Sequence, residues 1–123
     1  MRYHQFEELP CWQEARSLCQ AVSDIVYTTK LREDFSLKDQ TRRSSGSVMD
    51  NIAEGFDDGS AKEFIRFLGY AQRSCGEVQS QLYRAYDFSY IDVEQFNAIY
   101  GLAALCRKQI KGLRRYLRNC DYI

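Results

Sequence analysis

The feature of this sequence that most constrains its fold is a seam of apolar and small residues between positions 64 and 85. Its members, spaced alternately four and three residues apart, are Phe64, Leu68, Ala71, Cys75, Val78, Leu82 and Ala85. This spacing places side chains on one face of an α-helix, here over about six turns. Because such a face needs other helices to cover it, the seam predicts a helical bundle.

The rest of the chain shows the same helical periodicity and contains few helix breakers. One proline and seven glycines occur among 123 residues, and no strand pattern is present. We predict an all-α, single-domain protein with helices over residues about 10–30, 37–54, 60–87 and 92–119. Short connections between helices of this length favour a single antiparallel up-down-up-down four-helix bundle.

Residues with distinctive capping chemistry mark the predicted helix ends. Pro10 suits the first turn of the first helix, where a missing N–H loses no hydrogen bond. Capping boxes, in which a polar cap precedes an acidic or amide residue by three positions, begin at Ser36, Ser60 and Asp92. Gly55 is predicted to end the second helix in a left-handed conformation and to open a loop.

Charge and cysteine content argue against several classes of protein. Seventeen basic and seventeen acidic residues give zero net charge, so no global charge draws the chain to nucleic acid or to a membrane. The five cysteines are odd in number and widely spaced, unlike a disulfide framework or a zinc site. No apolar run is long enough to span a bilayer, and the amino terminus lacks a signal peptide's apolar stretch. We expect a cytoplasmic protein with no membrane partner.

The sequence offers few residues for catalysis. His4 is the one histidine and precedes the first helix, which argues against a histidine-based metal or nucleophile site. Glu54 and Glu77 would perturb each other's protonation if they were a buried pair, but we favour a structural polar network between the second and third helices. Its expected members are Asn51, Glu54, Arg43 or Arg66, Ser74, Glu77 and Gln81. We therefore predict no enzymatic activity, no metal and no cofactor.

A stripe of cations in the fourth helix is the main candidate for a binding site. Arg107, Lys111, Arg114 and Arg118 recur at steps of four, three and four, so they share one helical face. Such a stripe has the charge and spacing to follow phosphates. It also complements the negative end of the helix dipole without any ligand. Both interpretations stay open at this point.

Aromatic residues are more numerous than a core of this size requires. The chain has nine tyrosines, seven phenylalanines and one tryptophan. Some of these rings are expected at a subunit interface, where tyrosine is enriched. Half-exposed packing on a monomer is the competing explanation.

Two stretches of the sequence resemble a known family. They are SVMDNIAEGF at positions 47–56 and KEFIRFL at positions 62–68. Both are similar to the signature of bacterial four-helix bundle proteins encoded in intervening sequences of 23S rRNA genes, sometimes labelled S23 ribosomal proteins. The central motif, expected to act on structure, comprises Asn51, Ile52, Ala53, Glu54 and Gly55. The chain departs from the family pattern at Met49, where proline is common, and at Ser44, where alanine is usual.

The resemblance implies a ring-like homo-oligomer, a pentamer, without known enzymatic activity. The genomic link to ribosomal RNA suggests an association with RNA, and related bundles that accompany reverse transcriptases bind nucleic acid. Our leading hypothesis is a homo-oligomeric protein that binds structured RNA or other nucleic acid. Its phosphate contacts would be Arg107, Lys111, Arg114 and Arg118. The alternative hypothesis, based on zero net charge and the aromatic excess, is a protein–protein interaction scaffold that binds no nucleic acid.

Overall fold

Four α-helices make up most of the computed structural model, which describes residues 3–120. They are α1 (Pro10–Thr28), α2 (Phe35–Asp58), α3 (Ala61–Asp87) and α4 (Val93–Arg118). Short 3-10 helices cover Phe6–Glu8 and Lys30–Glu33, and the described part of the chain contains no strand. The all-α, four-helix prediction is confirmed.

Each helix packs mainly against two others. Helix α3 packs against α2 and α4, and α1 packs against the same two helices from the other side. The Ser44 hydroxyl accepts a hydrogen bond from Gln81 at 3.0 Å, and Ser47 accepts one from Ser74 at 3.0 Å. Residue numbers therefore increase along α2 in the direction in which they decrease along α3. None of the helices in residues 3–120 combines the length and apolar character that crossing a bilayer requires.

The seam that predicted the bundle lies in its core. All seven members, from Phe64 to Ala85, are at most 4% exposed. They pack with buried residues of the other helices, such as Leu18 of α1, Val48 of α2 and Ile110 of α4. Burial of this apolar area is the main favourable contribution to folding. The periodicity therefore identified the buried face of α3 correctly.

The helix caps agree with the sequence at two of three predicted boxes. Asp92 and Gln95 form the complete reciprocal box that starts α4. The Ser60 hydroxyl accepts from the Glu63 amide at 3.1 Å, although the Glu63 carboxylate pairs with Arg66 instead of returning to the cap. The box at Ser36 is wrong, because α2 begins at Phe35, two residues earlier than predicted, and its cap is Asp34.

The second helix ends later than predicted. Helix α2 continues through Gly55 to Asp58, and Gly59, at φ +88°, takes the left-handed capping conformation. Gly55 is a buried helical residue where α2 packs closely against α3. A Cβ at this position would lie 2.7 Å from the Cβ of Phe67 and 3.1 Å from Cδ1 of Phe64. The predicted loop and left-handed role of Gly55 are wrong; this glycine permits close helix packing.

A matched pair of alanine substitutions in α2 tests that role. Gly55→Ala is expected to lower the free energy of unfolding by about 1–3 kcal/mol, because overpacking forces α2 and α3 apart. Gly46→Ala is the control, since a Cβ there meets no atom within 4 Å. It should raise stability by about 0.5–1 kcal/mol through helix propensity alone. Urea unfolding of both variants measures the difference, and equal effects would contradict the packing role.

Candidate nucleic-acid interface

The surface formed by α3 and α4 carries the cation stripe predicted from sequence. Six basic residues and one acidic residue, Glu94, lie in α4. Lys111 and Arg118 are exposed, Arg107 is exposed but anchored at its tip, and Arg114 is half-buried against α3. The structure thus places the four predicted residues on one side of α4, where they differ in how freely they can meet a ligand.

Two arginines of the stripe are held by glutamines of α3. Arg107 donates from Nη1 to the Gln79 side-chain oxygen at 3.1 Å, and Arg114 donates from Nη1 to that of Gln72 at 2.9 Å. The two arginines are seven residues apart, and so are the two glutamines. One contact is therefore repeated after two helical turns, as in a heptad seam. We call this repeat the Arg–Gln ladder.

A glycine of α3 lies beside each guanidinium group of the ladder, and the tighter contact is at Gly69. A Cβ at Gly69 would lie 3.0 Å from Nη2 of Arg114, and a Cβ at Gly76 would lie 3.5 Å from Nη1 of Arg107. Both guanidinium groups therefore rest where α3 presents bare backbone. Each still has N–H donors beyond the one used by its glutamine, because a guanidinium carries five.

Arg114 is partly buried and lies among other positive charges. Burial lowers the pKa of this guanidinium below its usual value, and the nearby charges of Arg118 and Arg73 lower it further. Its Nε atom is buried and makes no hydrogen bond among residues 3–120. Arginine stays protonated despite such shifts. The cause of the shift shows that like charges, including one from α3, gather around Arg114.

The exposed cations border an open depression on α4. Its volume is about 760 Å3, and its lining includes Arg107, Lys108, Lys111 and Arg115, with Tyr100 and Gln79 at its edge. The ion pairs found in residues 3–120 join Asp39 to Arg43 and Glu63 to Arg66, and neither includes a residue of α4. The depression is consequently a positive surface without acidic partners in the described part of the chain.

Aromatic rings occupy the α3–α4 groove beyond the depression. Phe96 contacts Tyr83 with ring centroids 5.0 Å apart, Tyr86 at 5.6 Å and Tyr100 at 5.4 Å. Tyr83 and Tyr100 are 5.9 Å apart. These four residues are called the aromatic cluster below. They show that part of the predicted aromatic surplus is half-exposed packing on the protein surface.

The polar contact between α2 and α3 is simpler than the predicted network. Besides the pairs at Ser44 and Ser47, Asn51 donates to the backbone and hydroxyl oxygens of Ser47 at 2.8 and 2.9 Å. Arg43 and Arg66 pair within their own helices, so the network's charged connections are wrong. The observed contact consists of hydrogen bonds among side-chain hydroxyls, side-chain amides and a backbone carbonyl.

The two candidate carboxylates do not form a pair. Glu54 and Glu77 are both exposed. Counted from the contact of Ser47 with Ser74, Glu54 lies seven residues along α2 and Glu77 three residues the other way along α3. Their separation along the bundle is therefore roughly 15 Å, beyond the range of about 5–10 Å that paired catalytic carboxyl groups use.

Three of the five cysteines lie in the core. Cys11, Cys75 and Cys106 are buried, and the Cys106 thiol donates to the Cys11 carbonyl at 3.5 Å. Burial raises the pKa of Cys11 to about 12, which keeps it a thiol at neutral pH, and the thiolate is the reactive form. No cluster of metal-ligating side chains occurs among the residues that the structure describes.

The Arg–Gln ladder escaped the sequence analysis. Its signal is visible in retrospect as two copies of Gly-x-x-Gln, GYAQ at 69–72 and GEVQ at 76–79, matched by two arginines at the same spacing. Without knowledge of which residues of α4 face α3, polar glutamines and glycines on an exposed helical face suggest only solvent contact.

Comparison with known proteins identifies a family that the chain resembles. A family model described as 23S rRNA-intervening sequence protein matches residues 7–112. The matched region includes the motif at residues 51–55, as well as Arg107 and Lys111, and ends before Arg114 and Arg118. No curated protein matches the chain.

A double-mutant cycle tests the ladder. Arg114→Ala and Gln72→Ala are each expected to destabilise the protein, and their combined effect should be smaller than the sum by about 1 kcal/mol, because both remove one hydrogen bond. The same cycle with Arg115→Ala, an exposed cation one residue away, should give a coupling within about 0.3 kcal/mol of zero. Urea unfolding of wild type and the five variants measures both couplings. Equal coupling in the two cycles would contradict the ladder.

Proposed function

This chain belongs to the family of 23S rRNA-intervening sequence proteins, and we propose that it is a non-enzymatic homo-oligomer that binds structured RNA through the basic face of α4. Family membership agrees with the resemblance seen at positions 47–56 and 62–68. The observation that carries the proposal is the row of cations on α4 that lacks acidic partners within residues 3–120. Phosphates are the ligands that such a row suits.

The cations of this face have two roles in the proposal. Lys108, Lys111, Arg115 and Arg118 are exposed and contact phosphates directly. Arg107 and Arg114, fixed by the Arg–Gln ladder, offer their remaining N–H groups from set positions, so they lose little conformational entropy on binding. Dipole complementation in the last turns of α4 operates at the same time and does not compete with phosphate contact.

The assembly we propose is a ring, a pentamer, of up-down-up-down bundles. Opposite chain directions are supported by the pairing of α2 with α3 and of α3 with α4, where Arg107 meets Gln79 and Arg114 meets Gln72. A ring repeats the basic face around an axis, and simultaneous contacts convert a weak local affinity into a strong overall one. Native mass spectrometry measures the number of subunits, and a monomer would contradict this part of the proposal.

A protein–protein scaffold remains the second candidate, and specific residues favour it. Tyr27, Phe35 and Phe88 are 61%, 74% and 54% exposed. They lie near the end of the bundle where α1 and α3 finish and α2 begins. Exposed rings of this kind are enriched in protein interfaces, which serve either the ring itself or another protein. With either function, we expect the protein to act in the cytoplasm, since five free thiols suit a reducing compartment.

Binding to a structured RNA hairpin at several salt concentrations tests the leading proposal. Wild-type protein should bind with an affinity that falls steeply as salt rises, because phosphate contacts release counterions. The triple variant Lys108→Glu/Lys111→Glu/Arg115→Glu should lose at least about 100-fold in affinity, since it reverses three exposed charges. These positions make no hydrogen bond to α3, so the fold should be retained.

The control reverses the same number of exposed cations elsewhere. Arg16→Glu/Lys30→Glu/Arg32→Glu makes the same change in net charge on α1 and the segment after it. It should bind within about threefold of wild type once salt screens long-range fields. If both triple variants bind like wild type, or if wild type fails to bind at low salt with its assembly intact, the RNA proposal is wrong and the scaffold becomes the leading function.

A further inference from the structure

The α3–α4 groove changes character along its length. On α3 its residues recur at steps of three and four, and they are Gly69, Gln72, Gly76, Gln79, Tyr83 and Tyr86. Opposite the glycines and glutamines lie the arginines of the ladder, and opposite the two tyrosines lie Phe96 and Tyr100. One continuous groove is therefore cationic in one half and aromatic in the other.

The rings of the aromatic cluster differ in exposure. Phe96 and Tyr100 are half-buried and pack against the core. Tyr83 and Tyr86 are 52% and 43% exposed and rest on Phe96 from the solvent side. The inner rings thus support the outer pair from below. An exposed aromatic ring held by neighbours in this way loses little freedom when a flat ligand group covers it.

The polar groups of these tyrosines are also available. The hydroxyls of Tyr83, Tyr86 and Tyr100 make no hydrogen bond within residues 3–120, whereas the hydroxyls of Tyr70 and Tyr90 do. Each free hydroxyl can donate and accept. The outer edge of the cluster is therefore both aromatic and capable of hydrogen bonding.

The aromatic and cationic halves meet without a gap. Tyr100 lines the same depression as Arg107, Lys108 and Lys111. Tyr83 lies one helical turn beyond Gln79, which holds Arg107. The nearby acids, Asp87 and Glu94, lie toward the connector and the start of α4, on the far side of the rings. Negative charge is thereby repelled from one end of the groove and attracted to the other.

We propose that the aromatic cluster is a stacking platform for unpaired bases, so the RNA bound by this face contains a single-stranded stretch such as a loop or an end. The inference rests on the proposed function and deepens it. Base-paired helices keep their base faces inside the stack and offer proteins mainly phosphates and 2′-hydroxyls. Only unpaired bases present a face to a ring while their phosphates reach neighbouring cations.

The test compares wild type and four variants on two RNA probes. The probes are a single-stranded RNA of about 12 nucleotides, within the range that stacking proteins cover, and a blunt duplex of the same length. Wild type should prefer the single strand. Tyr83→Leu/Tyr86→Leu keeps apolar volume but removes the rings, and it should weaken single-strand binding at least about tenfold while leaving duplex binding unchanged. Tyr83→Phe/Tyr86→Phe keeps the rings and should retain most of the single-strand affinity.

The control is Tyr3→Leu, which removes an exposed ring outside the groove and should leave both affinities unchanged. Circular dichroism and native mass spectrometry establish that each variant keeps its fold and assembly. The charge-reversed triple variant, measured alongside, should lose both probes.

The outcomes separate the two proposals. Failure of wild type to bind either probe contradicts the proposed function itself. Equal binding of both probes, unaffected by the leucine pair at Tyr83 and Tyr86 but abolished by charge reversal, supports the proposed function and overturns the stacking platform. If Tyr83→Leu/Tyr86→Leu dissociates the oligomer, the cluster belongs to a subunit interface, and the stacking platform is likewise overturned. An equal loss caused by the Tyr3→Leu control also counts against the platform.

Discussion

The packing of α3 against both α2 and α4 is the constraint on which the other features depend. Its apolar seam is covered from both sides, and glycines allow the closest of these contacts: Gly55 of α2 admits Phe64 and Phe67, while Gly69 of α3 admits Arg114 of α4. Cores at this density tolerate little added volume. The position of α3 therefore sets which residues of α2 and α4 face inward, and which remain for a ligand.

Local signals explain why much of the fold was predictable. The seam of α3, proline at the start of α1 and the capping box at Asp92 depend on spacing and chemistry within a few residues, and the structure agrees with each. The end of α2 was missed because glycine has two uses. Gly55 allows α2 to contact α3 closely, whereas Gly59 adopts the left-handed cap conformation. The local sequence does not show whether a glycine is required for close packing or for a positive φ.

The candidate site was predictable only in part for a related reason. Helical spacing identified the row from Arg107 to Arg118, since four residues on one face need no knowledge of the partner helix. Which members are anchored depends on α3, whose glutamines receive Arg107 and Arg114. The aromatic cluster likewise joins Tyr83 to Phe96 across two helices. Contacts between helices require the register of their packing, which sequence spacing within one helix does not contain.

Zero net charge is compatible with RNA binding because the bundle separates its charges. Helix α4 carries six basic residues and one acidic residue, whereas α2 carries three basic and five acidic residues. Each packs chiefly against α1 and α3, so they occupy opposite corners and their fields do not cancel at the surface of α4. In the assembly that we propose, an acidic α2 of a neighbouring subunit and an RNA phosphate would compete for the same cations. Because Arg107 and Arg114 are already anchored by neutral glutamines, the Arg–Gln ladder orders the cationic surface without neutralising it, which leaves its charge to whichever partner reaches it.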